Sequence, residues 1–474
     1  MIDKKSLGGK RIAIFGLGTS GVAASLALKG YGAHVLAWDD NEDSRAQAQK
    51  SGVMLSDLYS SNWETIDALV LAPGVPLHHP EPHPIVKRAQ TAGCEVIGDI
   101  EILGRIEESS TFIGITGTNG KSTTTALIGH ILQSSKYRVE TGGNLGRPAL
   151  AMDSLDSLGK EGCYVLEMSS YQIDLTPTLN FDVAILLNIT PDHLERHGGM
   201  DGYCAAKAAI FGNQNERCTA IVGIDSEPSY AILKSLQDQA QSREIQRIIP
   251  ISGSISVPGG IYAQDGMLID DTESKQSSVM DLRTLQTLRG EHNWQNVAAA
   301  YACAHVLDVD RDQIVERIKY YPGLVHRQEV VEIIDGVLFV NDSKATNPDA
   351  TARALASYDN IYWIAGGQPK EGGFDPLLPY LDNVHHAYLI GDGAKQLHDT
   401  IGPRVPCTLS GTIDSATAVA YRQAMADGDV DPVVLLSPAC ASFDQFKNFE
   451  ERGNHFKNSV SALHSENYEN RSAS

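Results

Sequence analysis

No two cysteines in this sequence stand in a CxxC spacing, and the seven present are odd in number and scattered. That excludes a disulfide framework and argues against a structural zinc site, so they read as reduced thiols. No apolar stretch reaches bilayer length; the runs are short, such as VAILL at 183–187. The opening residues MIDKKSLGGKRIAIFGLG lack the apolar centre of a secretory signal, so a cytoplasmic location is expected. Positive charge is scarce, with 38 Lys and Arg against 59 Asp and Glu. A formal net charge of -21 repels a polyanion over most of the surface, which argues against nucleic acid as a partner. Any phosphate must then be held by local loops and helix N-termini. Pro-rich and Gln-rich tracts are absent too, and 42% hydrophobic with 20% charged residues is a globular composition.

What is present is a long alternation of short β-branched runs with helical patterns. The 474 residues exceed one ordinary core and suggest about three domains of roughly 150 residues each. RIAIFGLG, HVLAWDD and ALVLAPG form a first series, and TFIGITG, CYVLEMSS, VAILLNIT and AIVGID a second. VLFVNDS, IYWIAGG, HAYLIGD and PVVLLSPA form a third. Such alternation predicts parallel sheets with crossover helices. The expected fold class is α/β in three consecutive domains: a Rossmann-like N-terminal domain over 1–105, a central sheet of the P-loop ATPase type over 106–323, and a Rossmann-like C-terminal domain over 324–474. Ligands in such sheets bind outside the carboxyl ends of the strands.

GITGTNGKSTTTA follows an apolar strand and precedes a helix. Backbone amides of Gly117 to Lys121 are thus candidates to cradle phosphates, with Lys121 neutralising β and γ oxygens and the Ser122 hydroxyl offered to Mg²⁺. The spacing departs from GxxxxGK[ST], because Ile115 stands five before Gly120 while glycines occur at 114 and 117. The alternative is a glycine-rich turn with a solvated lysine. A second glycine-rich turn, GLGTSG at Gly16 to Gly21, also follows a strand, and Asp39 and Asp40 close the next one. By itself this pattern suits NAD as in a nicotinamide-dependent oxidoreductase, or any other diphosphate-linked nucleotide.

PDHLERHGGMDGYCAAKAAIF raises a metal question. His193 and His197 are four apart, but a zinc-protease helix needs Glu directly after the first His, where Leu194 stands, and Gly198 and Gly199 stop the helix. His197 then lies near a helix C-terminus, where an imidazole more often caps carbonyls, while His193 sits beside the ligand edge. Glu167 ends another strand, and a buried carboxylate there needs a cation or donors, which makes Mg²⁺ a candidate. If GYCAAKAAIF is helical, Lys207 shares a face with Tyr203, Cys204, Ile210 and Phe211. Its ordinary reading is a snorkelling lysine with its head in water.

Taken in order, GITGTNGKST, LEMSSYQ, NITPDHLERH, YCAAKAAIF, GEHNWQN, GLVHRQE, NDSKATN and LLSPACASFDQFKNFEERG resemble the Mur ligases across all three blocks. NDSKATN and the long C-terminal motif point among them to ligases that take D-glutamate; a related amide ligase using another amino acid is the alternative. The resemblance implies ATP-dependent joining of D-glutamate to UDP-N-acetylmuramoyl-L-alanine through an acyl phosphate, in peptidoglycan precursor synthesis, by a monomer acting on small molecules.

It also implies residues. Thr19, Ser20, Asp39 and Asn144 would hold the UDP substrate in place of NAD, with Asp40 and Ala72 departing from the hydroxyl residues common in relatives. Gly117, Thr118, Asn119, Gly120, Lys121, Ser122, Thr123, Asn293, Asn296, Arg327 and Asp342 would hold ATP. Two Mg²⁺ ions would rest on Ser122, Glu167, His193 and Lys207, the last as a CO₂-derived carbamate, an oxygen anion of the hard kind Mg²⁺ prefers. Lys344, Thr346, Lys370, Ser442, Phe443 and Phe449 would meet D-glutamate, although the phenylalanines also suit a core at helical spacing. Lys121, His193, Lys207 and Lys344 are the expected catalytic set. Cys440 invites a thioester reading, but the amide chemistry needs no thiol.

Overall fold

The computed structural model describes residues 7–144, 146–240, 246–273, 276–370 and 372–472. Two compact units divide the chain: Met1–Thr284 with Glu291–Tyr320, and Leu285–Gly290 with Tyr321–Ser474.

The first unit carries two sheets. Strands β1 (Arg11–Phe15), β2 (His34–Trp38), β3 (Ala68–Leu71) and β4 (Glu95–Ile97) are all parallel, in the order β2-β1-β3-β4. Ile12, Ala13, Ile14 and Phe15 of β1 are buried in succession, because helices cover both faces of a parallel sheet and leave no solvent side for a polar residue. The turn after β1 enters helix Thr19–Gly30 so closely that a Cβ on Gly21 would lie 1.8 Å from the Gly16 carbonyl oxygen. Only glycine permits that approach.

The second sheet contains β5 (Thr111–Thr116), β6 (Arg138–Gly143), β7 (Gly162–Glu167), β8 (Val183–Leu186), β9 (Thr219–Gly223), β10 (Arg247–Ser252), β11 (Ile261–Gln264), β12 (Met267–Asp270) and β13 (Ser277–Asp281). Their order is β13-β12-β11-β10-β9-β8-β5-β7-β6, parallel from β6 to β11 and antiparallel beyond. Helix Asp99–Ile106 joins the two sheets. Its buried Glu101 pairs with Arg105 at 2.8 Å and accepts the Thr178 and Leu179 amides at 3.1 and 3.2 Å.

The second unit holds β14 (Glu329–Ile334), β15 (Val337–Asn341), β16 (Ile361–Gly366), β17 (Val384–Ile390), β18 (Cys407–Gly411) and β19 (Val433–Leu436). The order is β14-β15-β19-β16-β17-β18, with only the β14–β15 pair antiparallel. The α/β class with parallel-dominated sheets is as expected from the alternation of apolar runs. The antiparallel additions are not. Both β11–β12 and β14–β15 turn on an Asp-Gly pair, Asp265-Gly266 and Asp335-Gly336, with positive φ at each residue. That is the backbone a two-residue hairpin requires, so the signal lay in the sequence as a turn dipeptide rather than as periodicity. Among the described residues no helix is long and apolar enough to cross a membrane.

Candidate functional site

The order β8-β5-β7-β6 sets four carboxyl ends side by side in the central sheet. Asn188 follows β8, the glycine-rich loop follows β5, Glu167 ends β7 and Asn144 follows β6. Ile115 is in register with Glu167, and Glu167 with Gly143, so loop, carboxylate and amide are adjacent by strand pairing alone.

The loop is held from behind. Asn188 accepts the Thr118 amide on its backbone oxygen at 2.8 Å and the Asn119 amide on its side chain at 3.0 Å, and its Nδ2 donates to the Asn119 carbonyl at 3.2 Å and to Gln295 Oε1 at 2.9 Å. Gly117 and Gly120 have positive φ, and a Cβ on Gly120 would lie 2.2 Å from Asn296 Oδ1. Asn296 accepts from Thr124 Oγ1 at 3.2 Å and donates to Asn293 at 3.0 Å; both asparagines are buried on helix Glu291–Val306 and back the loop. The amides of Thr118 and Asn119 are committed to Asn188, so the place left for an anion here is the start of helix Lys121–Leu132, where the first N–H groups lack intrahelical partners. Ser122 and Thr123 lie in that first turn, both buried.

Lys207 overturns the snorkelling reading. It is 2% exposed on helix Met200–Ala208, its Nζ donates to the Gly117 carbonyl at 2.9 Å, and it lies over the Tyr203 ring at 4.7 Å. Lys121 Nζ donates to the same Gly117 carbonyl and to that of Thr118, each at 2.9 Å. Burial, and then the charge of Lys121, depress the Lys207 amine to about 7. Glu167, 3% exposed, accepts from Asn144 Nδ2 on Oε1 at 2.9 Å, and its other oxygen has no partner among the described residues. An orphaned buried carboxylate oxygen beside a phosphate loop fits a cation.

His193 is placed differently. Its side chain is 54% exposed, in a left-handed backbone conformation, beside Asp192 at 3.6 Å and Tyr171 at 5.5 Å between ring centres. His197 is buried, bonded through Nε2 to Ser170 Oγ at 2.9 Å and stacked on Tyr171 at 5.2 Å, so it packs the loop instead of capping carbonyls. No group of three or more His, Cys, Asp or Glu side chains placed for a metal occurs among the described residues.

At the first sheet, Asp39 accepts the Leu17 amide at 2.6 Å and the Asn41 amide at 2.8 Å, tying the end of β2 to the glycine turn. Thr19 and Ser20 open helix Thr19–Gly30, whose N-terminus carries no side-chain cap. Asp40 lies 3.1 Å from the Tyr59 hydroxyl and 3.2 Å from His83 Nε2, which gives this carboxylate local partners. Ala72 packs against Gly16, where a Cβ would meet the Ala72 Cβ at 2.4 Å.

In the second unit, β15 ends at Asn341, and Asp342, Ser343 and Lys344 follow it. Asn341 donates to the Gly453 carbonyl at 3.2 Å and to Glu329 at 3.0 Å. Asp342, whose carboxyl burial pushes up to about 7, accepts from Ser437 Oγ at 2.8 Å and the Gln328 amide at 3.1 Å. Ser343 donates to the Phe449 carbonyl at 2.8 Å. Three anchored residues deliver Lys344, half-buried, 5.6 Å from the Phe449 ring. Thr346 precedes Asn347, which caps helix Pro348–Leu355. Arg327 and Gln328 flank the β14 hairpin start, and Lys370 is exposed after β16. Ser442 is buried, whereas Phe443 is 69% exposed on a segment that is not helical, so Phe443 is no core residue. Cys440 is buried, and burial pushes its thiol up to about 12, the state of an inert thiol.

These features define a multidomain α/β protein with a glycine-rich loop, a buried carboxylate and a buried lysine at one sheet edge. Residues 115–304 match the Mur ligase middle domain and residues 326–440 the Mur ligase glutamate ligase domain. The chain is 48% identical over 460 residues to the UDP-N-acetylmuramoylalanine--D-glutamate ligase of Rhodospirillum rubrum, covering 96% of this chain and 95% of that one. It is also 48% identical over 467 residues to the enzyme of the same name from Agrobacterium fabrum, covering 98% and 97%. In fold it is similar to the UDP-N-acetylmuramate-alanine ligase of Thermotoga maritima, with a TM-score of 0.56 at 15% identity over 96% and 99% of the two chains. The chain belongs to the Mur ligases, a family of ATP-dependent amide ligases.

Asn188 was not singled out by sequence reasoning, although it lies in NITPDH; only its place behind the loop gives it weight. Asn188→Ala removes the anchors of Asn119 and should raise the KM for ATP by about tenfold or more, with a stability loss of about 1–3 kcal/mol. Initial-rate kinetics and urea unfolding measure the two effects. A pH dependence follows from Lys207. A lysine whose folded value lies below its ordinary one destabilises the fold at low pH, and that cost is relieved as pH rises from about 7 towards 10.5. Lys207→Met should flatten this rise in the urea midpoint, measured without CO₂.

Proposed function

We propose that this chain adds D-glutamate to UDP-N-acetylmuramoyl-L-alanine with cleavage of ATP, in peptidoglycan precursor synthesis. The observation that carries the reading is near-full-length identity of 45–48% to relatives of that name, joined to a phosphate loop whose strand neighbours are Glu167 and Asn144. A carboxylate and an amine do not condense at neutral pH. ATP therefore phosphorylates the L-alanyl carboxylate, the amine of D-glutamate attacks the acyl phosphate, and phosphate leaves. Lys121 and the first-turn amides of helix Lys121–Leu132 hold the phosphates and offset charge on the transferred group.

Magnesium, when bound, neutralises charge on the phosphoryl oxygens. The orphaned oxygen of Glu167 fits it, and Ser122, His193 and a carbamylated Lys207 would supply the further donors for two ions. Carbamylation joins the Lys207 nitrogen to the carbon of CO₂ with loss of a proton. A buried amine titrating at about 7 is neutral often enough to react. Thr19, Ser20, Asp39 and Asn144 serve the UDP substrate. Lys344, Thr346, Lys370, Ser442, Phe443 and Phe449 serve D-glutamate, and Arg327 serves the nucleotide, while Asp342 stays within the loop it anchors. The three ligand roles follow the proposed domains 1–105, 106–323 and 324–474, and the work is cytoplasmic.

Phosphate release should require ATP, UDP-N-acetylmuramoyl-L-alanine and D-glutamate together; release with another amino acid in a panel, and none with D-glutamate, overturns the assignment. Lys207→Ala should lose most activity and regain part of it with a short carboxylate in solution. Full activity of that variant in CO₂-free buffer would sink the carbamate.

A further inference from the structure

Arg452, on the first turn of helix Phe449–Ser472, is 1% exposed and has no hydrogen-bonded carboxylate among the described residues. A buried guanidinium with no carboxylate in hydrogen-bond contact is costly, so its neighbours need explaining. Nε donates to Ser343 Oγ at 3.0 Å and Nη2 to the Ser343 carbonyl at 2.8 Å. Nη1 donates to the carbonyls of Cys440 at 3.1 Å and Ala441 at 3.2 Å. One planar cation thus ties the loop after β15 to the loop after β19.

A third loop rests on the same group. Gly367, after β16, is so close that a Cβ would lie 3.1 Å from Arg452 Nη1 and 2.3 Å from the Ala441 carbonyl oxygen. Gln368 and Ala441 exchange backbone hydrogen bonds at 2.9 Å in both directions. Strands β15, β19 and β16 are neighbours in that order, so all three loops leave one stretch of sheet edge. The residue after Ser343 is Lys344, the residue after Ala441 is Ser442, and Lys370 follows Gln368 by two.

We infer that Arg452 is a positioning residue which sets the spacing between Lys344 and Ser442, and through it the length of dicarboxylate amino acid this edge accepts. The inference rests on the assignment of D-glutamate to those loops. Arg452 touches no substrate in this scheme; its fork of donors fixes two carbonyl-bearing loops at once, which a lysine with a single nitrogen does not reproduce. A plug that merely fills the core would make no distinction between amino-acid chain lengths.

The test uses the full chain and phosphate release with D-glutamate and with D-aspartate, one methylene shorter. Arg452→Lys should raise the KM for D-glutamate by about tenfold or more while the KM for ATP and for the UDP substrate stays within about twofold. The preference for D-glutamate over D-aspartate should narrow as well. Unchanged selectivity overturns the proposal, as does a rise in all three KM values together with a lowered thermal midpoint. Should Arg452→Lys fail to fold, Ser343→Ala removes one acceptor and keeps the cation. It should narrow selectivity in the same direction and by less, and wild-type selectivity there overturns the proposal. An unmutated chain inactive with D-glutamate is a different failure, that of the functional assignment itself, and is read in the control.

Discussion

Two lysine amines meet at one carbonyl oxygen, that of Gly117, and the loop end of the central sheet is organised around this contact. Lys121 reaches it from the helix that the loop opens, and Lys207 from helix Met200–Ala208. Like charges at close range in a dry pocket disfavour full protonation of both, and the more buried one yields. The loop does not relax away from the pair because Asn188 holds two of its amides and Asn296 fills the space behind Gly120. Beside it, one carboxyl oxygen of Glu167 has no partner among the described residues.

The second unit solves a related problem by other means. Its loops must present polar groups at a sheet edge while their backbones stay fixed, and buried side chains supply the fixing. Asn341, Asp342 and Ser343 each turn inward to a named partner. Arg452 answers four oxygens of two loops with one planar group. In both units the residues offered outward are flanked by residues committed inward, which is how loops at strand ends acquire the rigidity of the sheet.

Much of this was legible. Apolar runs such as TFIGIT and IYWIAG are buried along their whole length, and the GKS loop falls between a strand and a helix as its residues required. Lys207 was not legible as a buried cation, because an amphipathic side chain on an apolar face suits the surface and the interior equally until the opposite wall is known. The two Asp-Gly hairpins carried a local signal that alternation of long runs obscured. Phe443 shows the reverse case: an aromatic at apparent helical spacing proved exposed, since the helix begins only at Phe449.

What the sequence by itself determined is the set of elements and the chemistry available at their ends. Both follow from local causes: apolar runs that must be covered, glycines where φ must be positive, and lysine after a glycine loop at a helix start. Tertiary structure alone decided which ends stand together, through the strand orders β8-β5-β7-β6 and β15-β19-β16. It also decided that Lys207 loses its water, that one Glu167 oxygen has no partner among the described residues, and that Arg452 donates to carbonyls and a hydroxyl and not to a carboxylate. Desolvation and pairing depend on what lies across from a side chain, and residues far apart in the chain supply that.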